Sequence, residues 1–136
     1  GVGVAGTEEF RLAQNGNFHA DGNITAYSST ISSDKSLKEN IKPLKNSLDK
    51  ILHLKPSSFR WKVKDKEDDV GLIAQEVEKV IPEIVQENIS IGNTEEFLDG
   101  NTYKTVDYAK LTTYLIGAVQ EQQKQIDGLK KKLEEL

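Results

Sequence analysis

The chain has 136 residues, 36% of them hydrophobic and 29% charged, a size for one modest domain with appendages. A formal net charge of −4 excludes a general phosphate-binding surface, and the Lys130-Lys131-Lys132 run beside Glu134 and Glu135 reads as a solvated helix face. With no cysteine there is no disulfide framework, and no apolar run approaches the ~20 residues that span a bilayer, so neither nucleic acid nor membrane is an expected partner.

Residues 1 to 32 alternate short apolar entries with turn residues. Phe10-Arg11-Leu12, Phe18-His19-Ala20 and Ile24-Thr25-Ala26-Tyr27 are separated by Asn15-Gly16-Asn17 and Asp21-Gly22-Asn23. Asn-Gly and Asp-Gly supply the positive φ angles of tight corners, so the pattern predicts short strands. Their apolar side chains are too few to close a core within one chain. A trimeric, fibre-like β segment, in which each chain covers the others' apolar faces, is the expectation. The chain opens at Gly1 and contains no Met, so it is read as the C-terminal piece of a larger protein.

Residues 33 to 107 read as a mixed α+β unit. Pro43 suits a first helical turn, and Leu44, Leu48, Ile51 and Leu52 recur at helical spacing until Pro56. Phe59, Trp61 and Val63 alternate as a half-buried strand does, and the acidic run from Asp65 to Asp69 predicts an exposed turn before a strand at Val70-Gly71-Leu72-Ile73. Ala74 to Ile81 suits a short helix ended by Pro82. Ile84 and Val85 begin another strand, residues 86 to 101 read as a loop or irregular hairpin, and Tyr103 to Val106 read as a last short strand.

From Asp107, a plausible N-cap, the chain reads as one long helix. Leu115, Val119, Gln122, Ile126, Leu129, Leu133 and Leu136 follow alternating steps of four and three, a heptad seam with one polar member, and are the expected trimer interface. Leu111 and Leu115 also suit packing of the helix onto its own domain.

Ser33 and Lys38 stand five apart where the β-type segment gives way to the α+β pattern. A serine hydroxyl becomes a nucleophile when a base takes its proton, and a lysine is that base when burial or nearby positive charge favours the neutral amine. The target is the preceding bond, Ser32–Ser33: attack on the Ser32 carbonyl gives an ester that water hydrolyses. Ser32 is a second hydroxyl, one position earlier. His19 and His53 have no partner at metal-ligand spacing, and Gly1-Val2-Gly3-Val4-Ala5-Gly6 lacks the Lys-Ser/Thr ending of a phosphate loop, so neither a metal nor a cofactor is expected.

Ser33-Asp34-x-x-Leu37-Lys38-x-Asn40-Ile41 resembles the opening motif of the intramolecular chaperone domain of phage tailspikes and tail fibres, peptidase family S74. The resemblance continues through Val70-Gly71-Leu72-Ile73-Ala74-Gln75-Glu76-Val77 and Ile81-Pro82-Glu83-Ile84-Val85, and returns at Val106-Asp107-Tyr108-x-Lys110-Leu111. It implies a homotrimer whose globular domain templates the upstream β-fibre of the same polypeptide and then frees itself by cleavage before the motif serine. Carried over by position, Ser33 is the nucleophile, Lys38 the base, and Asp34 a motif residue that orients the site. Where many members carry arginine two residues before the lysine, this chain has Ser36. The domains implied are 1–32, the end of a fibre shaft; 33–106, the globular chaperone; and 107–136, the trimerising helix. The location implied is a phage tail precursor assembled in the host cytoplasm. The alternative is a non-cleaving trimeric fibre tip that touches a receptor.

Overall fold

The computed structural model describes residues 10–20, 22–62, 67–89 and 102–136. The Gly1–Gly6 run, Asp21, Val63, Asp65, Lys66 and residues 90 to 101 of the expected 86–101 loop lie outside the described residues, while residues 86 to 89 of that loop are strand. Two compact units divide the chain: Gly1–Ile41 with Asn88–Tyr103, and Lys42–Glu87 with Lys104–Leu136.

In the first unit, β1 (Phe10–Leu12) and β2 (Phe18–Ala20) pair antiparallel, with Phe10 opposite Ala20 and Leu12 opposite Phe18. The Asn15-Gly16 corner forms as its composition predicts. Gly16 takes φ +87°, and Asn15 Oδ1 accepts from Asn17 N at 3.1 Å. Ile24 to Tyr27, expected to be a strand, carries no strand here, and Ile24 and Ile31 stay largely exposed. An extended segment with no neighbour has neither a ladder for its amides nor an apolar face to pack on.

The second unit holds the core. Val77, Ile81, Ile84 and Tyr114 are buried together, with Ile51, Leu54, Leu72, Val80, Val85, Val106 and Leu111 packed around them. The elements here are, in chain order, α1 (Ser47–Leu52), β3 (Ser57–Arg60), β4 (Asp68–Gly71), α2 (Ala74–Val80), a 3-10 turn at Pro82–Ile84, β5 (Val85–Ile89), β6 (Thr102–Val106) and α3 (Tyr108–Glu134), and the core residues come from all but β3 and β4, or from the connections. The strands form separate two-stranded pairs, β3 with β4 and β5 with β6. The small sheets and long C-terminal helix make a mixed α+β fold, as expected.

Several boundaries differ from the sequence pattern. The first helix does not open at Pro43: it begins at Ser47, after Asn46 in the left-handed region at φ 61°. The Glu121 carboxylate of α3 accepts from Ser47 N at 3.2 Å and Leu48 N at 2.7 Å, so the cap comes from a side chain more than seventy residues away. Leu44 therefore precedes the helix and is exposed. Asp68 and Asp69 belong to β4 rather than to a turn. Arg60 Nε donates to Asp68 at 2.8 Å and Trp61 Nε1 donates to Asp69 at 3.1 Å, which gives these carboxylates partners on the paired strand and just beyond it. β4 ends at Gly71, and β5 extends the expected strand to Ile89.

The long helix starts as predicted, with Asp107 Oδ1 accepting from Lys110 N at 3.1 Å. Tyr114 and Ala118 are the positions of α3 buried against its own unit, while Leu115 is 45% exposed. Gly117 lets α1 approach closely, because a Cβ there would stand 2.5 Å from Ser47 Oγ. α3 ends at Glu134, leaving Leu136 just beyond it.

Candidate active site

An extended chain of five residues spans roughly 17 Å, well beyond the reach of a lysine side chain. The segment after Ser33 is not extended throughout: Lys35–Leu37 form a 3-10 turn, with Leu37 N donating to Asp34 O and Lys38 N to Lys35 O, both at 3.1 Å. The turn folds Lys38 back, and its Nζ donates to Ser33 Oγ at 2.6 Å. The two residues singled out by spacing are thus in direct contact.

Asp34 caps this turn. Its Oδ1 accepts from Ser36 N at 2.8 Å and from Ser36 Oγ at 2.6 Å. The Ser36 hydroxyl, and after it the Ser36 amide, hold the Asp34 carboxyl below the usual carboxylate range. Asp34 therefore shapes the backbone between the serine and the lysine. Asn40, two residues past Lys38, takes φ 54°, a left-handed conformation that asparagine tolerates better than most residues. Ser32, Ser33, Asp34 and Lys38 are all exposed in the single chain.

The other expected site residues line α3 and its end. Leu115, Val119, Gln122, Ile126, Leu129, Leu133 and Leu136 are all exposed, Val119 at 63% and Leu133 at 68%. From residue 122 onward every residue of α3 is exposed, beyond the stretch that holds Tyr114 and Ala118. No helix among the described residues is long and apolar enough to cross a membrane. His19 pairs with Arg11 in the hairpin, and His53 Nδ1 lies 2.6 Å from Asp49 O at the end of α1.

Three contacts that sequence reasoning missed support the scaffold. The Tyr108 hydroxyl accepts from Leu72 N at 2.8 Å, tying the third motif to the second. The Tyr114 hydroxyl donates to Glu83, with the Lys50 ammonium 4.0 Å from that carboxylate and above the Tyr114 ring. Burial, with the hydrogen bond to Glu83 behind it, pushes the Tyr114 phenol up to about 12. Lys104 Nζ bridges both Glu78 oxygens at 2.8 and 2.7 Å. None of these pairs is encoded by local spacing. The Asp34–Ser36 clasp was missed as well, although Asp with a serine two positions on is a local turn signal that could have found it.

Residues 33–86 match the family model for Peptidase S74, chaperone of endosialidase, and the match opens on Ser33. The chain is 34% identical over 128 residues to the long tail fiber protein Gp37 of Enterobacteria phage Ox2, covering 89% of this chain and 47% of that protein. It is 32% identical to the Gp37 of Enterobacteria phage T2 over 88% of this chain and 9% of that protein. It is 31% identical to the Gp37 of Salmonella phage S16 over 92% of this chain and 17% of that protein. The chain therefore spans about half the length of the shorter of these tail fibre relatives and a small fraction of the longer ones. With the Ser33 motif, the ordered downstream motifs and these relatives in agreement, residues 33–86 belong to the Peptidase S74, chaperone of endosialidase, family, and the chain is homologous to part of the phage long tail fibre protein Gp37.

Proposed function

We propose that this chain is an intramolecular chaperone that assembles as a homotrimer, templates the folding of an upstream tail-fibre β segment, and releases itself by cutting the Ser32–Ser33 bond once. The observation that carries the reading is the 2.6 Å contact between Lys38 Nζ and Ser33 Oγ at the first residue of the family match.

Neutral Lys38 takes the hydroxyl proton as Ser33 Oγ attacks the Ser32 carbonyl carbon. The tetrahedral adduct collapses with cleavage of the Ser32–Ser33 C–N bond, and the proton on Lys38 passes to the departing Ser33 nitrogen. The product is an ester from the Ser32 acyl carbon to Ser33 Oγ. Water hydrolyses it to a Ser32 carboxylate, a free Ser33 hydroxyl and a Ser33 α-amine. Nucleophile and carbonyl belong to adjacent residues, so proximity supplies much of the rate.

The exposure of Lys38 assigns assembly a chemical task. A lysine open to water holds its proton at neutral pH, whereas covering by neighbouring chains favours the neutral amine. The apolar residues that would gain from such covering are exposed: Ile24, Ile31, Leu37 and Ile41 along the open segment, and the apolar members of the heptad seam of α3. Each regains up to about 1.5–3 kcal/mol on full burial. The assembly would then sit on a tail precursor, and the chaperone part would leave after cutting.

A second reading, a non-cleaving trimeric tip, is favoured by Ser36 at the position where many family members carry arginine, and by the solvent around Lys38. Intact-mass spectra over time on the purified chain, with Ser33→Ala alongside, separate the two. A fragment beginning at Ser33 in the wild type alone supports self-cleavage. A permanently intact wild-type trimer leaves the tip, and sedimentation showing a monomer or dimer removes both.

A further inference from the structure

We infer that Ser36 is a positioning residue for the cut: its hydroxyl, clasped to Asp34, stabilises the 3-10 turn that delivers Lys38 to Ser33. This rests on the self-cleavage reading for its consequence, though not for its geometry.

A three-residue 3-10 turn with two backbone hydrogen bonds is a weak element, and nothing buried holds it, since Lys35, Ser36 and Leu37 are all exposed. Two further bonds come from one carboxylate oxygen, Asp34 Oδ1, and both go to Ser36. The amide bond is available to any residue at this position, while the 2.6 Å hydroxyl bond requires serine or threonine. A charge-assisted bond of this kind is worth roughly twice a neutral one. The clasp sits midway between the two reacting groups, and opening the turn carries Lys38 away from Ser33. Ser36 itself is not in contact with either reacting atom, so it acts through the backbone.

This also accounts for a serine where an arginine is common. An arginine side chain brings donors but cannot reproduce a hydroxyl that folds back onto the carboxylate two residues earlier. In this chain the turn is secured locally by a neutral donor, which places no second cation beside Lys38 from position 36.

The test compares Ser36→Ala, Ser36→Thr and Asp34→Ala. Loss of the hydroxyl bond should slow cleavage about fivefold, the effect of one hydrogen bond on the population of the closed turn. Ser36→Thr should restore the rate, and Asp34→Ala combined with Ser36→Ala should be no slower than Asp34→Ala alone. The midpoint of the pH–rate profile should stay in place, because the residue sets distance and not the ionisation of the base. Cleavage at the wild-type rate in Ser36→Ala, or a Ser36→Thr as slow as Ser36→Ala, overturns the inference.

An independent readout uses the uncut Ser33→Ala chain, in which the introduced methyl should show a nuclear Overhauser contact to the Lys38 ε-methylene. That contact should weaken about fivefold on adding Ser36→Ala and recover with Ser36→Thr. Should the wild type never cut, the self-cleavage reading fails while this contact still decides the role of Ser36: an undiminished contact in Ser36→Ala refutes it, and weakening with threonine rescue upholds it.

Discussion

Val77, Ile81 and Ile84 lose essentially all their surface within one chain, whereas Ile31 and Leu37 keep 73% and 71% of theirs. The first group draws helices and strands from residues 42–87 and 104–136 around itself. The second lies on a segment with one three-residue turn and no core of its own. A scaffold that must fold before anything else needs its core in cis. On the proposed reading, a segment shaped by other chains keeps its apolar groups free until those chains arrive. The Ser33–Lys38 pair lies on the second kind of region, and its contact is made by local backbone with both residues exposed.

This contrast can be broken most sharply at the pair itself. Ser33→Ala should lower self-cleavage by at least about a thousandfold, and Lys38→Met by roughly a hundredfold or more. Neither should move the urea midpoint of the core, and a stability loss in either would mean the open segment is part of the scaffold after all. Ile81→Ala should do the reverse, costing about 2–5 kcal/mol by urea unfolding through lost transfer energy and a residual cavity. Replacing Ile126 and Leu129 together with alanine should weaken assembly by about 2–4 kcal/mol per chain in sedimentation, with the near-ultraviolet spectrum of the core retained.

Smaller effects probe how the scaffold is closed. Gly117→Ala should cost about 1–3 kcal/mol in chemical unfolding, because the added methyl meets Ser47 where α1 crosses α3. Tyr114→Phe should cost about 1 kcal/mol at neutral pH, with its clearest signature at high pH. The folded-state phenol is raised from 10 to about 12, so its contribution is complete below about pH 10 and is lost as pH rises through about 12. A wild-type unfolding curve that declines in that window, and a Tyr114→Phe curve that declines less, is the expected pair. Glu83, held below its ordinary value chiefly by the Tyr114 hydroxyl, acts in the acid direction: its contribution is present above the unfolded value of 4.5 and is lost as pH falls through the lowered one.

Elements with a local cause were legible in the amino-acid sequence. Asp107 before a periodic run predicted the start of α3, and Pro82 the end of α2. The Asn15-Gly16 corner was likewise read correctly, and serine and lysine five apart marked the pair that the 3-10 turn brings together. Each depends on residues within about one turn of one another. The helix expected from Pro43 began instead at Ser47, because its cap is Glu121, and Leu115 gave its inward place to Tyr114, because the direction of α3 follows α1 at Gly117. Ile24 to Tyr27 has strand-forming side chains and no strand, since a ladder needs a neighbour that propensity does not provide. Local chemistry thus determined the Asp107 cap, the Asn15-Gly16 corner and the approach of Lys38 to Ser33. The tertiary structure decided where α1 is capped and which stretch of α3 is spent on the chain's own core, because those choices rest on contacts between residues distant in sequence.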